Sequence, residues 1–177
     1  MRIISGYLKS RILIAPDSES IRPTSDRAKE TLFNILANTE DFEGILCMDL
    51  FCGSGSLGFE FISRGASKCI FVDKDISLTD RNMHKLGISD KCEVYKSDVI
   101  DFLRKNPDLK SEIITADPPY SYNEYENLLE CISGMKVLFI LEHSENYTSG
   151  IKFEKYIILK KKVGTVNFSI FDFKNTS

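Results

Sequence analysis

From residue 45 onward, apolar runs of strand length alternate with helical stretches, and this rhythm constrains the fold more than any single residue. The first run, 45–50, carries Asp49 near its end and breaks into a loop with Gly53, Gly55 and Gly58. A helical pattern follows over 56–64 and stops at Gly65, a residue suited to the left-handed position after a helix. The next strand, 68–72, ends in Asp73; a helix over 76–86 ends at Gly87. A strand over 92–96 ends near Asp98, with Val99, Phe102 and Leu103 marking a short helix. The run 112–116 ends in Asp117-Pro118-Pro119-Tyr120, a helix around Leu128 and Leu129 stops at Gly134, and the run 137–141 ends in Glu142. No helix separates the last two runs, 156–159 and 166–173, which reads as an antiparallel hairpin. Such alternation implies a mainly parallel sheet with helices on both faces.

In sheets of this kind, ligands bind at the carboxyl ends of the strands. The glycine loop lies at one such end, and its spacing is ambiguous. Gly53-x-Gly55-x-x-Gly58 matches a dinucleotide fingerprint, and Asp73 lies where a ribose-binding acid is expected. Asp49 argues for a different ligand. An acid just before the loop has no general use beside a pyrophosphate, whereas it can bind the ammonium of an amino-acid-bearing cofactor. Asp49, Asp73, Asp98 and Asp117 close four successive strands. S-adenosylmethionine joins an ammonium, a sulfonium and two ribose hydroxyls to adenine, and acids suit each of these parts.

Asp117-Pro118-Pro119-Tyr120 resembles the signature of methyltransferases that modify planar exocyclic or amide nitrogens. Such an amine is a poor nucleophile because its lone pair is delocalised. The Asp117 carboxylate and the Pro118 carbonyl could accept its N–H groups, and consecutive prolines hold acceptors in place. Tyr120 offers a face on which a base can stack.

Three further blocks narrow the resemblance: Met1-Arg2-Ile3-Ile4-Ser5-Gly6, the stretch from Arg22-Pro23-Thr24-Ser25-Asp26-Arg27 to Asn34, and Asp49-Leu50-Phe51-Cys52-Gly53-Ser54-Gly55. Together they are similar to the bacterial RsmD family, which methylates the N2 amine of a guanine in 16S ribosomal RNA. The resemblance implies a class I methyltransferase (Rossmann-like) α/β fold with a seven-stranded, mostly parallel sheet in the order 3-2-1-4-5-7-6, the last strand antiparallel. It implies S-adenosylmethionine as cofactor: Asp49, Phe51, Gly53, Ser54 and Gly55 at its methionine part, Asp73 at the ribose, Asp98 and the Val99 amide at the adenine. Asp117, Pro118, Pro119 and Tyr120 would hold the guanine as the catalytic set. Arg22, Thr24 and Arg27, with Tyr120, would contact the RNA substrate. The segment from Tyr120 to Glu142 is shorter than the resemblance implies, and Val163-Gly164-Thr165-Val166 stands where Tyr-Gly-x-Thr is expected.

Ahead of the alternating region, 2–5 and 12–15 read as short strands around Gly6-Tyr7, making residues 1–20 a hairpin extension on the RNA side. Residues 21–177 then form the methyltransferase domain. Thr24 is a good helix N-cap, with Asp26 in the first turn, and Ala28, Leu32, Ile35 and Leu36 share one helical face. The total charge is -3, but residues 1–29 hold six basic residues against three acids, a net of +3 that leaves -6 for the rest. Lys160-Lys161-Lys162 is a second basic spot, and such local patches can bind phosphate in an acidic chain. The five cysteines form no CxxC pair, so neither a disulfide framework nor a metal site is expected. Interrupted by Arg2, Lys9 and Arg11, the amino-terminal stretch lacks a signal-like apolar region, which places the chain in the cytoplasm. The expected partner is 16S ribosomal RNA within a small-subunit particle, with no membrane and the chain acting as a monomer. Competing readings are adenine-N6 or other nucleic-acid amino methylation, a NAD-binding dehydrogenase, and a non-catalytic ribosome assembly factor.

Overall fold

The computed structural model describes residues 1–15, 26–145, 147–148 and 150–174. Seven strands form one sheet: β1 Leu46–Leu50, β2 Lys68–Asp73, β3 Cys92–Lys96, β4 Ile113–Ala116, β5 Leu138–His143, β6 Ile157–Val163 and β7 Val166–Asp172. Their order is β3-β2-β1-β4-β5-β7-β6. The β1–β2, β1–β4, β2–β3 and β4–β5 pairings are parallel, while β7 runs antiparallel to both β5 and β6. This is the class I methyltransferase order that the resemblance implied.

The apolar residues divide between two layers. Helices α1 (Asp26–Leu36), α2 (Ser56–Ser63) and α3 (Ser77–Leu86) cover one face, where Phe33, Phe61 and Met83 join Cys47, Phe71 and Ile113 of the strands. Helices α4 (Val99–Lys105), α5 (Tyr125–Ser133) and the short α6 (Ile151–Glu154) cover the other, where Phe102, Leu128 and Phe153 meet Met48, Val72 and Phe139. Burial on both faces explains why the central strands are apolar at nearly every position instead of alternating. Gly58 lets α2 sit close to the sheet: a Cβ there would lie 2.3 Å from the Phe71 ring and 2.7 Å from the Cys69 sulfur.

The expected N-terminal hairpin is present but thin, with one antiparallel bridge between Arg2 and Ile12. Its arms share backbone bonds, from the Ile3 amide to the Arg11 carbonyl at 3.0 Å and from the Leu13 amide to the Met1 carbonyl at 3.2 Å, and other amides reach the helices. The Ile4 and Ser5 amides donate to Glu60 at 2.8 and 3.0 Å, that of Leu8 to Ser63 Oγ at 3.0 Å, and that of Ile14 to Asn82 Oδ1 at 2.7 Å. The segment is zipped to itself and stitched to α2 and α3 as well. Thr24, the expected cap of α1, lies outside the described residues.

Lys29 corrects the charge count above. It stands on the buried face of α1, has no exposed surface, and adds nothing to an amino-terminal surface patch. Its ammonium donates to the Arg2 carbonyl at 2.6 Å and to Ser56 Oγ at 3.0 Å, and lies 3.5 Å from the buried Glu60 carboxylate. Glu60 also pairs with Arg64 at 2.9 Å.

Candidate active site

The glycine loop leaves β1 at Phe51 and enters α2 at Ser56. Phe51 itself has φ 56°, an unusual value for a residue with a side chain, and its ring meets Tyr122 edge-on at 5.0 Å. Nearly every polar group of the loop is held from below. The Gly53 amide donates to Asp73 Oδ2 at 2.9 Å, and the Gly53 carbonyl accepts from Thr79 Oγ1 at 2.8 Å. Asn82 Nδ2 donates to the Ser54 carbonyl at 2.9 Å and to the Ile14 carbonyl at 3.0 Å, so one side chain ties loop to N-terminal segment. Lys29 makes a second tie, between Ser56 at the start of α2 and Arg2. The Gly55 amide closes the turn onto the Cys52 carbonyl at 2.7 Å. Above Gly53 the space is open, with no atom within 4 Å of where a Cβ would stand.

Asp49 lies inside β1 and is 2 % exposed. Its carboxylate accepts from the Gly58 amide at 2.9 Å and from Thr115 Oγ1, across the sheet on β4, at 3.0 Å. Burial pushes its pKa up to about 7. Those two hydrogen bonds oppose the rise, and the negative charges of Asp117 and Asp73 add to it. The glycine-loop rim thus concentrates carboxylates, the set of groups that a ligand bearing positive charge would satisfy.

Asp98 has a double role. One carboxylate oxygen caps α4 by accepting from Ile100 and Asp101 amides at 2.9 and 3.2 Å, while the other meets Lys74 at 3.0 Å. Burial acts to raise its pKa, but Lys74 and the two amides outweigh it and the net shift is downward. Val99 beside it is buried.

At the end of β4 the Asp117 amide donates to the Leu50 carbonyl at 3.3 Å, which brings the Asp-Pro-Pro-Tyr turn beside the start of the glycine loop. Asp117 is half-buried, Pro118 is buried, and Pro119 and Tyr120 face solvent. The Tyr122 amide donates to the Pro119 carbonyl at 2.8 Å and closes the turn. Tyr120 is 65 % exposed, in a position no core role explains. It lines a cleft of about 420 Å³ with Ser144 and Glu145 after β5, Lys162 at the end of β6, and Gly164 and Thr165 in the β6–β7 turn. A larger cleft of about 530 Å³, including Ile45, Glu112 and Lys136, opens at the amino ends of the strands, away from the loop. Of the expected RNA contacts, Arg27 is exposed in the first turn of α1, while Arg22 and Thr24 lie outside the described residues.

Sequence reasoning missed the residues that hold the loop. Thr79 and Asn82 lead a buried face of α3 that continues with Met83 and Leu86, so two polar side chains occupy core positions of an amphipathic pattern. That placement was a readable signal.

The family model described as "Conserved hypothetical protein 95" matches residues 1–172. The chain belongs to this family. Among its relatives, the "Ribosomal RNA small subunit methyltransferase D" of Haemophilus influenzae is 33% identical over 182 aligned positions, covering 97% of this chain and 93% of the relative. A solved structure of a hypothetical protein from Thermus thermophilus superposes with a TM-score of 0.82 at 23% identity, over 97% of this chain and 99% of the other. An RNA methyltransferase from Salinibacter ruber, solved with S-adenosyl-L-homocysteine, superposes with a TM-score of 0.66 at 12% identity over 88% of this chain and 96% of the other. These likenesses set this family's chain among proteins of one fold.

Proposed function

We propose that this chain transfers a methyl group from S-adenosylmethionine to the exocyclic N2 amine of a guanine in 16S ribosomal RNA. The observation that carries the reading is the Asp117-Pro118-Pro119-Tyr120 turn, set between the glycine loop and an open cleft. The name of the Haemophilus relative and the S-adenosyl-L-homocysteine bound by the Salinibacter neighbour support the same chemistry.

In this reading Asp49, Phe51, Gly53, Ser54 and Gly55 hold the methionine part of the cofactor, Asp73 the ribose, and Asp98 with the Val99 amide the adenine. Bound there, the cofactor supplies an electrophilic methyl group on a sulfonium. Asp117 and the Pro118 carbonyl accept the guanine N–H groups and turn the nitrogen lone pair toward that methyl. An amine that took up this methyl would shed one proton, which the Asp117 carboxylate would pass to water. Tyr120 stacks on the base, and Arg27 with Arg22 and Thr24 meets the RNA. A base in structured RNA must leave its stack to reach Tyr120. The chain works in the cytoplasm as a monomer on a small-subunit particle, whose further contacts offset the net charge of -3.

Incubation with labelled cofactor and either small subunits lacking the mark or free RNA tests the reading. Label appearing at guanine N2 is the expected result, and no transfer to either substrate overturns it. Asp117→Ala separates the enzyme from an assembly factor, which would keep its effect without transfer.

A further inference from the structure

The lysines at 160–162 occupy β6, the edge strand of the sheet, next to the cleft that holds Tyr120. All three are exposed. Their partners in the register sort them by face. Lys161 stands opposite Phe168 of the α1–α3 layer, whereas Lys160 and Lys162 stand opposite Ser169 and Asn167. Lys160 and Lys162 therefore share one face, roughly 6.7 Å apart along the strand. Lys162 donates to Glu145, and that pair forms one wall of the cleft. Neither Lys160 nor Lys161 has an acid in ion-pairing reach among the described residues. Edge lysines often serve only to discourage strands from pairing. That role does not explain why the series leads into the cleft beside an exposed aromatic ring.

We propose that the β6 edge is the track for the RNA backbone next to the target base, with Lys160 and Lys162 contacting phosphates and Glu145 holding Lys162 until a phosphate replaces it. The proposal rests on the RNA-methylating reading of the same rim and adds where the polyanion lies. Tyr120 takes the base, and the strand edge takes the chain that carries it. The Lys162–Glu145 pair is exposed on both sides, with side chains 57% and 65% accessible, so exchange of a carboxylate for a phosphate requires no buried rearrangement.

The test measures binding rather than transfer. Affinity for a small-subunit ribosomal RNA transcript is titrated against salt for the full chain, Lys162→Ala, Lys160→Ala/Lys162→Ala and Glu145→Gln. Each lost phosphate contact lowers the magnitude of the log–log salt slope by about 0.7–0.9. The single variant should lose about one such step and the double variant about two. Glu145→Gln should bind more tightly at low salt. Binding of S-adenosylmethionine should stay at the wild-type level in every variant, which shows that the domain remains folded. Salt slopes equal to wild type in a chain that still methylates RNA would overturn the track and leave the reaction standing. Lowered slopes in a chain that transfers no methyl would support the track and fault the reaction. A wild-type chain that neither binds nor methylates RNA would remove both.

Discussion

On the β1–β2 side of the sheet's rim, buried side chains hold the backbone of the glycine loop; on the β4–β5 side, Tyr120 and the ion pair across the cleft face water. Thr79, Asn82, Lys29 and Asp49 are each 2 % exposed or less and each bonds the loop or the first residues of α2. Tyr120, Glu145 and Lys162 are exposed, and the contact between Glu145 and Lys162 is a surface ion pair. A small cofactor can be met by a preorganised cradle, since its shape is constant. A macromolecule that must deliver one unstacked base needs an open approach. The difference predicts that substitutions on the two sides separate into those that move stability and cofactor affinity and those that move only the acceptor.

Lys29→Met should have the largest effect on stability. It leaves Glu60 in the core with Arg64 as its remaining cationic partner and removes the link between Arg2 and Ser56. Breaking a buried pair in this way costs about 3–5 kcal/mol, read from urea unfolding, and Glu60→Gln in the same chain should recover part of it. A loss under about 1 kcal/mol, the value of an exposed pair, would mean that the cradle is not built on this cluster.

Asp117→Ala comes next. Removing one preorganised acceptor should lower the rate of methyl transfer by about 10²–10³ in single-turnover kinetics with RNA saturating. Cofactor affinity should stay near wild type. If it fell as far as the rate, Asp117 would belong to the cofactor side and the division of the rim would fail. Tyr120→Ala should leave urea unfolding within about 0.5 kcal/mol, as expected for an exposed side chain. The same change should weaken RNA binding by about 1–3 kcal/mol through lost stacking.

How much of this is readable from the sequence differs between the two sides. The strand–helix alternation and the strand-end acids are local patterns, and they place Asp49, Asp73, Asp98 and Asp117 at one rim without coordinates. Lys29 counts as surface charge only because charge counting ignores helical phase; its spacing from Leu32, Phe33 and Leu36 puts it on the buried face. Thr79 and Asn82 escape notice for a related reason, since polar residues on an apolar face weaken the very signal used to find a helix. The acceptor cleft is out of reach for a different cause. Tyr120, Glu145 and Lys162 come together only because β7 inserts antiparallel between β5 and β6 and carries the end of β6 to the same rim. No local pattern encodes that approach, and Arg22 and Thr24 lie outside the described residues.

Asp49→Asn gives a modest net change, because two effects oppose each other, and the most direct view of the cradle's electrostatics. The wild-type carboxyl sits at about 7 in the fold, against 3.8 for an unperturbed group. The folded chain therefore holds a proton more tightly than the unfolded one. The favourable share from this group is complete below the unfolded value, is lost as the pH rises between the two values, and stays lost above the folded one. About three pK units correspond to roughly 4 kcal/mol of burial cost at pH 8, an order-of-magnitude figure. Asparagine removes that cost but cannot accept from both Gly58 and Thr115 as well as the carboxylate does, which returns about 1–3 kcal/mol. The variant should therefore be more stable than wild type by about 1–3 kcal/mol at alkaline pH, and the gap should close toward pH 5 in urea unfolding. Affinity for S-adenosylmethionine should run the other way. In wild type it should rise with pH as Asp49 ionises and can meet the cofactor's ammonium, and in the variant it should be weaker and flat across the same range. A gap in stability that does not change with pH would show that Asp49 is already ionised in the free protein, and that the loop, not the ligand, balances its charge.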